Sequence, residues 1–284
     1  MSPSPTHRIA LIQLHPKPLS PYTNFNTASA KIRSAAQQSA ALAVLPEYHL
    51  TSWMPIAAEF RAQCALTPRF LKGYCELARE CEICIVPGTM IEVKVKEGEG
   101  EKGRLVNVAY FIGNDGRVLG SPPPLSPLSH HPHTPILTSL GPIGLLICWD
   151  LAFPEACREL ISQGARIIIA PTFWMSGDCS EAGLRRNRDA EKLFLESLIV
   201  ARAFEGTCAL VFVNAAGPAE KGYLGLSQVA VPFIGALPGK LSTSDEGMSI
   251  VDLDMNILDE AEENYKIRED LAREDWHYVY RHKL

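Results

Sequence analysis

The clearest structural signal in the chain is the segment Gly144-Leu145-Leu146-Ile147-Cys148-Trp149-Asp150-Leu151-Ala152-Phe153-Pro154-Glu155. An apolar run rich in branched residues ends at Cys148, and Pro154 then follows at a position that suits the first turn of a helix. The pattern predicts a strand, a thiol and a helix. A second buried strand is predicted at 166–171, which makes the unit a parallel crossover. Ligands bind at the carboxyl ends of strands in open α/β sheets, where this unit places Cys148.

A thiol at the end of a strand has two interpretations. The positive end of the following helix would stabilise the thiolate, which is the nucleophilic form, so Cys148 is a candidate nucleophile. Cysteine is also among the most buried residue types, and a cysteine that ends an apolar strand can serve packing alone. The segment by itself leaves both interpretations open.

A carboxylate and an aromatic cluster also follow predicted strands. The run 41–45 predicts a strand that stops at Pro46-Glu47-Tyr48, so Glu47 follows the end of one parallel strand as Cys148 follows another. Taken alone, Glu47 could equally be a solvated loop acid, because glutamate is mostly exposed. Phe173 and Trp174 come just beyond the strand at 166–171 and could line a pocket or pack the core.

Composition predicts a globular cytoplasmic protein. The chain has 284 residues, of which 46% are hydrophobic and 21% charged, enough to bury a large core. A formal net charge of -5 and the lack of a basic stripe argue against a nucleic-acid partner. No apolar run is long enough to cross a bilayer, and the start Met1-Ser2-Pro3-Ser4-Pro5 lacks the apolar core of a secretory signal, so we expect no membrane partner.

Cysteines and histidines give no strong metal signature. The 8 cysteines are scattered through predicted helices and strands, which is more typical of reduced thiols than of a disulfide framework. The pair Cys81-x-x-Cys84 has no second pair, and we expect its spacing to be coincidental. His130, His131 and His133 lie in a proline-rich loop without a cysteine or carboxylate at metal spacing. We therefore expect neither a metal nor a cofactor.

Hydrophobic periodicity divides the chain into alternating strands and helices. It predicts helices over 27–39, 69–80, 189–204 and 259–273, and strands over 8–14, 41–45, 105–112, 208–213, 225–231 and 247–253. No shift in composition marks a linker. The prediction is one domain over 1–284, with an atypical proline-rich loop at 121–135 and a C-terminal helix and tail at 259–284.

Five segments carry a resemblance to a known family. They are Leu45-Pro46-Glu47, the stretch 144–155, Ala170-Pro171-Thr172-Phe173-Trp174, Ala201-Arg202-Ala203-Phe204-Glu205-Gly206 and Val213-Asn214. Together they resemble the nitrilase superfamily of carbon-nitrogen hydrolases, from residue 8 to about residue 258. The stretch around the cysteine is the most specific part. The Phe-Trp, Gly-Leu-Ser-Gln and Asn-Tyr-Lys-Ile-Arg-Glu-Asp segments are most similar to fungal members.

The resemblance implies an α/β fold, a four-layer αββα sandwich, assembled as a homodimer or a larger homo-oligomer. It implies that Cys148 attacks the carbon of a small nitrile or amide, while Glu47 takes the thiol proton and later relays protons to ammonia and to water. A thioester intermediate would then give a carboxylic acid. The backbone amide of Trp149 would help to hold the developing negative charge. Trp149, Phe173 and Trp174 are expected to form an apolar substrate pocket.

The chain departs from the family at the third catalytic residue, which is a lysine after a Gly-x-Val-x-Gly turn. Here that turn is Gly116-Arg117-Val118-Leu119-Gly120, Ser121-Pro122-Pro123-Pro124 follows, and no lysine occurs between Lys102 and Lys192. The supporting second glutamate is missing too, because none lies between Glu101 and Glu155. Loss of one donor to a developing anion costs about a hundred- to a thousandfold in rate. Arg117 or a loop histidine is a disfavoured substitute, because a guanidinium does not replace an ammonium at a tight site.

Three interpretations remain open at this point. The first is a carbon-nitrogen hydrolase in which the loop 121–135 is a true variant or an error in the coding sequence, such as a misplaced splice junction. The second is a catalytically impaired relative that serves as a subunit or binding protein. The third is a protein with a redox-active thiol, suggested by Cys148 and by Cys81-x-x-Cys84. The resemblance favours the first interpretation, and it leaves nitrile versus amide and the size of the oligomer open.

Overall fold

The computed structural model describes residues 5–94, 103–120 and 133–276 of the chain. Most of the predicted proline-rich loop at 121–135, with His130 and His131, lies outside these residues, and so does the end of the predicted tail at 277–284. The division into one domain with this loop and tail therefore stays a prediction.

The described residues contain fourteen strands and eight α-helices. The strands are β1 (Thr6–Gln13), β2 (Leu42–Val44), β3 (Cys84–Val86), β4 (Thr89–Lys94), β5 (Arg104–Ala109), β6 (Phe111–Ile112), β7 (Val118–Gly120), β8 (Ile136–Thr138), β9 (Gly141–Leu145), β10 (Ile167–Thr172), β11 (Ala209–Asn214), β12 (Gln228–Val231), β13 (Gly235–Ala236) and β14 (Gly247–Asp254). The helices are α1 (Pro21–Gln37), α2 (Phe60–Cys64), α3 (Thr67–Cys81), α4 (Pro154–Ser162), α5 (Glu181–Arg186), α6 (Ala190–Glu205), α7 (Asn256–Tyr265) and α8 (Ile267–Leu271).

Two sheets form the centre of the described structure. One 6-stranded sheet has the order β14-β1-β2-β3-β6-β7, the other has the order β13-β12-β11-β10-β9-β8, and β4 pairs separately with β5. The strands β1, β2 and β3 are parallel to one another, as are β9, β10 and β11. The backbone N–H of Glu47 donates to Thr172 O at 3.2 Å, so the carboxyl end of β2 meets that of β10.

Alternation of buried side chains along the strands produces the layers. In β10, Ile167 and Ile169 face the other sheet, whereas Ile168 and Ala170 face the helices α4 and α6. The other sheet packs its outer face against α1 and α3 in the same way. Because each parallel strand is covered on both faces, it reads as a continuous apolar run. The layers are helix, sheet, sheet and helix, as the αββα prediction requires.

Three predicted elements differ from the structure. The run 105–112 is divided between β5, which pairs with β4, and β6, which pairs with β3 and β7. Its apolar alternation is continuous, so the pattern cannot show the change of partner. Helix α1 begins at Pro21 rather than at residue 27, because polar residues on its first turns hide it in the pattern. The predicted helix at 259–273 is two helices, α7 and α8, separated at Lys266, whose φ is 56°.

The segment around Cys148 also differs from the predicted strand, thiol and helix. Strand β9 ends at Leu145, and residues Cys148–Ala152 form a single 3-10 turn before α4 begins at Pro154. Cys148 therefore opens a tight turn, and it is not at the first turn of the α-helix. This difference matters for the charge state of its thiol.

Candidate active site

Cys148 sits in a strained turn that its neighbours hold in place. Its φ is 46°, a left-handed conformation that a residue with a side chain rarely adopts. Asp150 Oδ2 accepts from Ile147 N at 2.9 Å, which closes the turn from within. Arg202, on α6, donates to Leu151 O at 3.1 Å and to Ala152 O at 3.3 Å. The turn is thus tied to the helix layer by a side chain that is only 8% exposed.

Glu47 is held as firmly on the opposite sheet. Its side chain is 3% exposed. One carboxylate oxygen, Oε1, accepts from Asn107 Nδ2 at 2.8 Å, and the other, Oε2, accepts from Phe173 N at 2.9 Å. The Asn107 amide also donates to the hydroxyl oxygen of Tyr48 at 3.2 Å. These donors leave the carboxylate one orientation.

The structure brings Glu47 and Cys148 together. Their side chains are within hydrogen-bond contact, and the Tyr48 hydroxyl also bonds to Glu47. The N–H of Phe173 faces the Cys148 sulfur as well as Glu47. An acid from the end of β2 and a thiol from the end of β9 therefore share one buried point between the sheets.

Burial dominates the charge state of this pair. It raises the pKa of Glu47 to about 7, although hydrogen bonds from Cys148, Asn107, Tyr48 and Phe173 act in the opposite direction. Burial, and then the charge of Glu47, raise the pKa of the Cys148 thiol well above its ordinary value. The expectation that the following helix would stabilise the thiolate is wrong, because α4 begins only after the 3-10 turn and desolvation is the larger effect.

Such a pair is suited to concerted proton transfer. The thiol keeps its proton in the resting state, and a carboxylate with a pKa near neutrality is a base that can take it as the sulfur attacks. The same carboxyl group, once protonated, can pass the proton to a leaving group. Nucleophile and base in hydrogen-bond contact, with the base oriented by further donors, is the arrangement expected for covalent catalysis.

The three aromatic residues predicted to bind substrate occupy different places. Phe173 lies beside Glu47 and packs against Tyr48, with ring centroids 6.0 Å apart. Trp149 is 55% exposed and packs against Trp174 at 5.2 Å. Trp174 is 2% exposed, and its indole N–H donates to Glu191 Oε2 at 2.6 Å. Their contact with a substrate stays a prediction.

Two polar residues of the site were missed from the sequence. Asn107 is an amide between the buried Val106 and Val108 of β5, and this interruption of an apolar strand was the available signal. Tyr48 directly follows Glu47. Only the pairing of β4 with β5 brings Asn107 to Glu47, and a single sequence does not specify that pairing.

Of the cationic substitutes considered from the sequence, Arg117 and His133 belong to the described residues. Arg117 is 78% exposed at its side chain and pairs with Asp115 at 2.5 Å in the hairpin turn. His133 interacts with the carboxylate of Asp150. Neither is among the groups that influence Glu47 or Cys148.

Among residues 5–94, 103–120 and 133–276, no group of three or more histidine, cysteine or acidic side chains could hold a metal ion. Cys81 and Cys84 are free thiols at the end of α3 and the start of β3. The same part of the chain contains no helix with the length and apolar character of a membrane span. The cytoplasmic location, the homo-oligomer and the small-molecule partner stay predictions.

Comparisons with known proteins agree with this geometry. The family model described as carbon-nitrogen hydrolase matches residues 8–263. Deaminated glutathione amidase from Bos taurus is 28% identical over 256 residues, which cover 83% of this chain and 73% of that protein. A fungal protein, described as a probable nitrilase of Schizosaccharomyces pombe, is 30% identical over 129 residues, 45% of this chain and 42% of that protein.

A solved structure shows the same fold. It is a mutant of the amidase from Nesterenkonia sp. AN1 in which the acetamide moiety of fluoroacetamide is covalently added at the active-site cysteine. Its TM-score is 0.70 at 25% identity, and the match covers 93% of this chain and 98% of that chain. The predicted fold class and the resemblance to the nitrilase superfamily are confirmed. By its sequence and its architecture, the chain belongs to the carbon-nitrogen hydrolase family.

Proposed function

We propose that the chain is an amidase-type thiol hydrolase that converts a small amide into a carboxylic acid and ammonia. One observation carries the proposal: the buried Glu47 carboxylate, with a pKa near 7, is aimed by Asn107 and Phe173 at the thiol of Cys148. In this role Cys148 is the nucleophile and Glu47 the general base. The interpretation as a redox thiol is disfavoured, because the side chain in hydrogen-bond contact with Cys148 is the carboxylate of Glu47 and not a second thiol.

The first half of the reaction forms a thioester. As the Cys148 sulfur attacks the amide carbon, the proton moves from sulfur to Glu47, and negative charge develops on the substrate oxygen. The backbone N–H of Trp149 stabilises that oxygen. Glu47 then gives its proton to the nitrogen, the carbon-nitrogen bond breaks, and ammonia leaves an acyl group on the sulfur.

The second half returns the enzyme to its resting state. Glu47, again ionised, takes a proton from a water molecule that attacks the thioester carbon. The carbon-sulfur bond then breaks, Glu47 gives its proton back to the sulfur, and the carboxylic acid leaves. One carboxyl group thus serves as base, acid, base and acid in turn.

The relatives favour an amide over a nitrile. The Bos taurus relative is a deaminated glutathione amidase, and the Nesterenkonia protein is an amidase that carries an acetamide moiety on its active-site cysteine. Beside the pair, the ring of Phe173 contacts those of Tyr48 and Tyr223, and Tyr48 stacks on Trp53. These rings are suited to the apolar body of a small substrate.

A second candidate is a catalytically impaired relative. Its support is the sequence itself, which has no lysine between Lys102 and Lys192 and no glutamate between Glu101 and Glu155. A positive charge beside the developing anion would then be lacking, and Asp178 adds negative charge near Cys148. This candidate predicts no turnover although the pair is in place.

Ammonia release from a panel of short aliphatic and aromatic amides and the matching nitriles distinguishes the two candidates. We expect turnover of at least one amide, its loss in both Cys148→Ala and Glu47→Gln, and full activity in Cys179→Ala. Cys179 is a partly exposed cysteine outside the pair and is the matched control. Release of ammonia that survives Cys148→Ala, or its absence with every substrate, would contradict the proposed function.

A further inference from the structure

A buried polar network lies behind the catalytic pair, and its side chains make no hydrogen bond to either member of the pair. Its members are Gln13, Thr172, Asn214 and Ser227, which are 0% exposed. Hydrogen bonds link them from the end of β1 to the end of β11, and in the link between Asn214 and Ser227 the donor is the backbone N–H of Asn214. Buried polar side chains cost stability unless they are bonded, so a network between two apolar sheets calls for an explanation.

Asn214 is hydrogen-bonded to the residues on both sides of Phe173, to the side chain of Thr172 and to the backbone of Trp174. Its Oδ1 accepts from Trp174 N at 2.8 Å and from the hydroxyl of Thr172 at 3.0 Å, and its Nδ2 donates to Trp174 O at 3.0 Å. Phe173 lies between these two residues, and its N–H donates to Glu47 Oε2 at 2.9 Å. The peptide group that contains this N–H is also held at its other end, because Thr172 O accepts from Glu47 N and from Ala215 N, each at 3.2 Å. Asn214 adds the bonds that constrain the residues on either side of Phe173.

The network also connects the two sheets. Asn214 N donates to Ser227 Oγ at 3.0 Å, and Ser227 Oγ donates to Gln13 Oε1 at 2.7 Å. Gln13 belongs to β1, which pairs with the strand that leads into Glu47. Its own amide donates to Thr243 O and Asp245 O, each at 2.8 Å, so it cannot turn away. These hydrogen bonds thereby connect the sheet that carries Glu47 to the sheet that carries Cys148.

We propose that Asn214 is a positioning residue, which orients the Phe173 N–H towards the Glu47–Cys148 pair. Ser227 and Gln13 connect Asn214 to the first sheet. The inference rests on the proposed function, because it assigns this network to the same reaction. The Phe173 N–H stabilises the ionised forms of both members of the pair. Without the Asn214 side chain the Phe173 N–H is less well oriented, and both Glu47 and Cys148 become harder to ionise.

The effect should appear in the pH profile. The titratable groups that face Glu47 are Cys148 and Tyr48, and those that face Cys148 are Glu47 and Asp178. None of them is replaced in Asn214→Ala. A shift of the acidic limb of kcat/KM in this variant would thus report the loss of a well-oriented donor to Glu47. A general loss of stability does not produce such a shift.

Asn24 supplies the matched control. It is a buried asparagine that also binds the backbone N–H and C=O of one residue, since Oδ1 accepts from Lys17 N at 2.9 Å and Nδ2 donates to Lys17 O at 2.8 Å. We expect Asn214→Ala to lower kcat/KM by about 10- to 100-fold through kcat, the cost of a small misplacement in an active site. The acidic limb of its kcat/KM profile should move to higher pH. Asn24→Ala should lower the free energy of unfolding and leave the acidic limb of kcat/KM at the wild-type pH.

Two further measurements keep the inference falsifiable. Ser227→Ala removes a smaller part of the network, and we expect the acidic limb to move to higher pH by less than in Asn214→Ala. If the wild type turns over no amide, the pH midpoint of alkylation of Cys148 by iodoacetamide, followed by mass spectrometry of its peptide, replaces kcat/KM. That midpoint should rise in Asn214→Ala and not in Asn24→Ala. Equal profiles for the two asparagine variants would overturn the positioning role, whereas failed turnover with a shifted midpoint would overturn only the proposed function.

Discussion

Arg202→Leu should destabilise the turn that carries Cys148 far more than an exposed arginine replacement can. Arg202 makes two charged hydrogen bonds to backbone carbonyls, at 3.1 and 3.3 Å, from a side chain that is 8% exposed. Hydrogen bonds to charged groups contribute about 1.5–3 kcal/mol each, so two of them give about 3–6 kcal/mol. The pair with Glu205 adds little, because Glu205 is 36% exposed at its side chain.

The control is Arg33→Leu. Arg33 bonds both oxygens of Glu80, at 2.8 and 2.9 Å, but the two side chains are 48% and 56% exposed. Such a pair is worth about 0–1 kcal/mol. Urea unfolding gives the free energy of unfolding of each variant, and we expect a loss in Arg202→Leu at least three times that in Arg33→Leu. Comparable losses would refute the view that Arg202 holds the turn.

Other predictions concern the acid, its amide donor and the core. Burial raises the pKa of Glu47 to about 7 in the folded protein, so the wild type loses stability as the pH rises from the pKa of Glu47 in the unfolded chain to that value. Glu47→Gln should therefore gain about 3 kcal/mol in free energy of unfolding, relative to wild type, between pH 4 and pH 8.5. A pH-independent difference in urea unfolding would contradict this. Asn107→Leu should raise the pKa of Glu47 and move the acidic limb of kcat/KM to higher pH, and an unmoved limb would exclude its role as a donor. Ile169→Ala, between the sheets, should cost about 2–5 kcal/mol in urea unfolding, whereas Val118→Ala, at 43% exposure, should cost under about 1 kcal/mol.

The sequence predicts most of the architecture because the parallel strands are buried on both faces. Runs such as Ile167–Thr172 and Ala209–Asn214 are continuous, apolar and bounded by turn residues, so they are located within a residue or two. The meeting of Glu47 and Cys148 follows from a similar argument, because each comes after the carboxyl end of a parallel strand.

Features that depend on pairing or solvation could not be predicted. Asn107 reaches Glu47 only because β5 leaves the main sheet to pair with β4, and its apolar alternation does not reveal that. The thiol of Cys148 was expected to have a lowered pKa from the following helix, but the depth of its burial, which raises that pKa, depends on the whole sandwich. The resting charge of a site is a tertiary property.

In the proposed reaction Glu47 removes the proton of Cys148, and the pH dependence of fluoroacetamide labelling at Cys148 reports that step. In the wild type we predict that labelling, read from the mass of the Cys148 peptide, increases through pH of about 7, where Glu47 ionises. In Glu47→Gln we predict that this increase disappears and that labelling appears only at higher pH, where the thiol ionises unaided. The same increase near pH 7 in both proteins would contradict the proposed step.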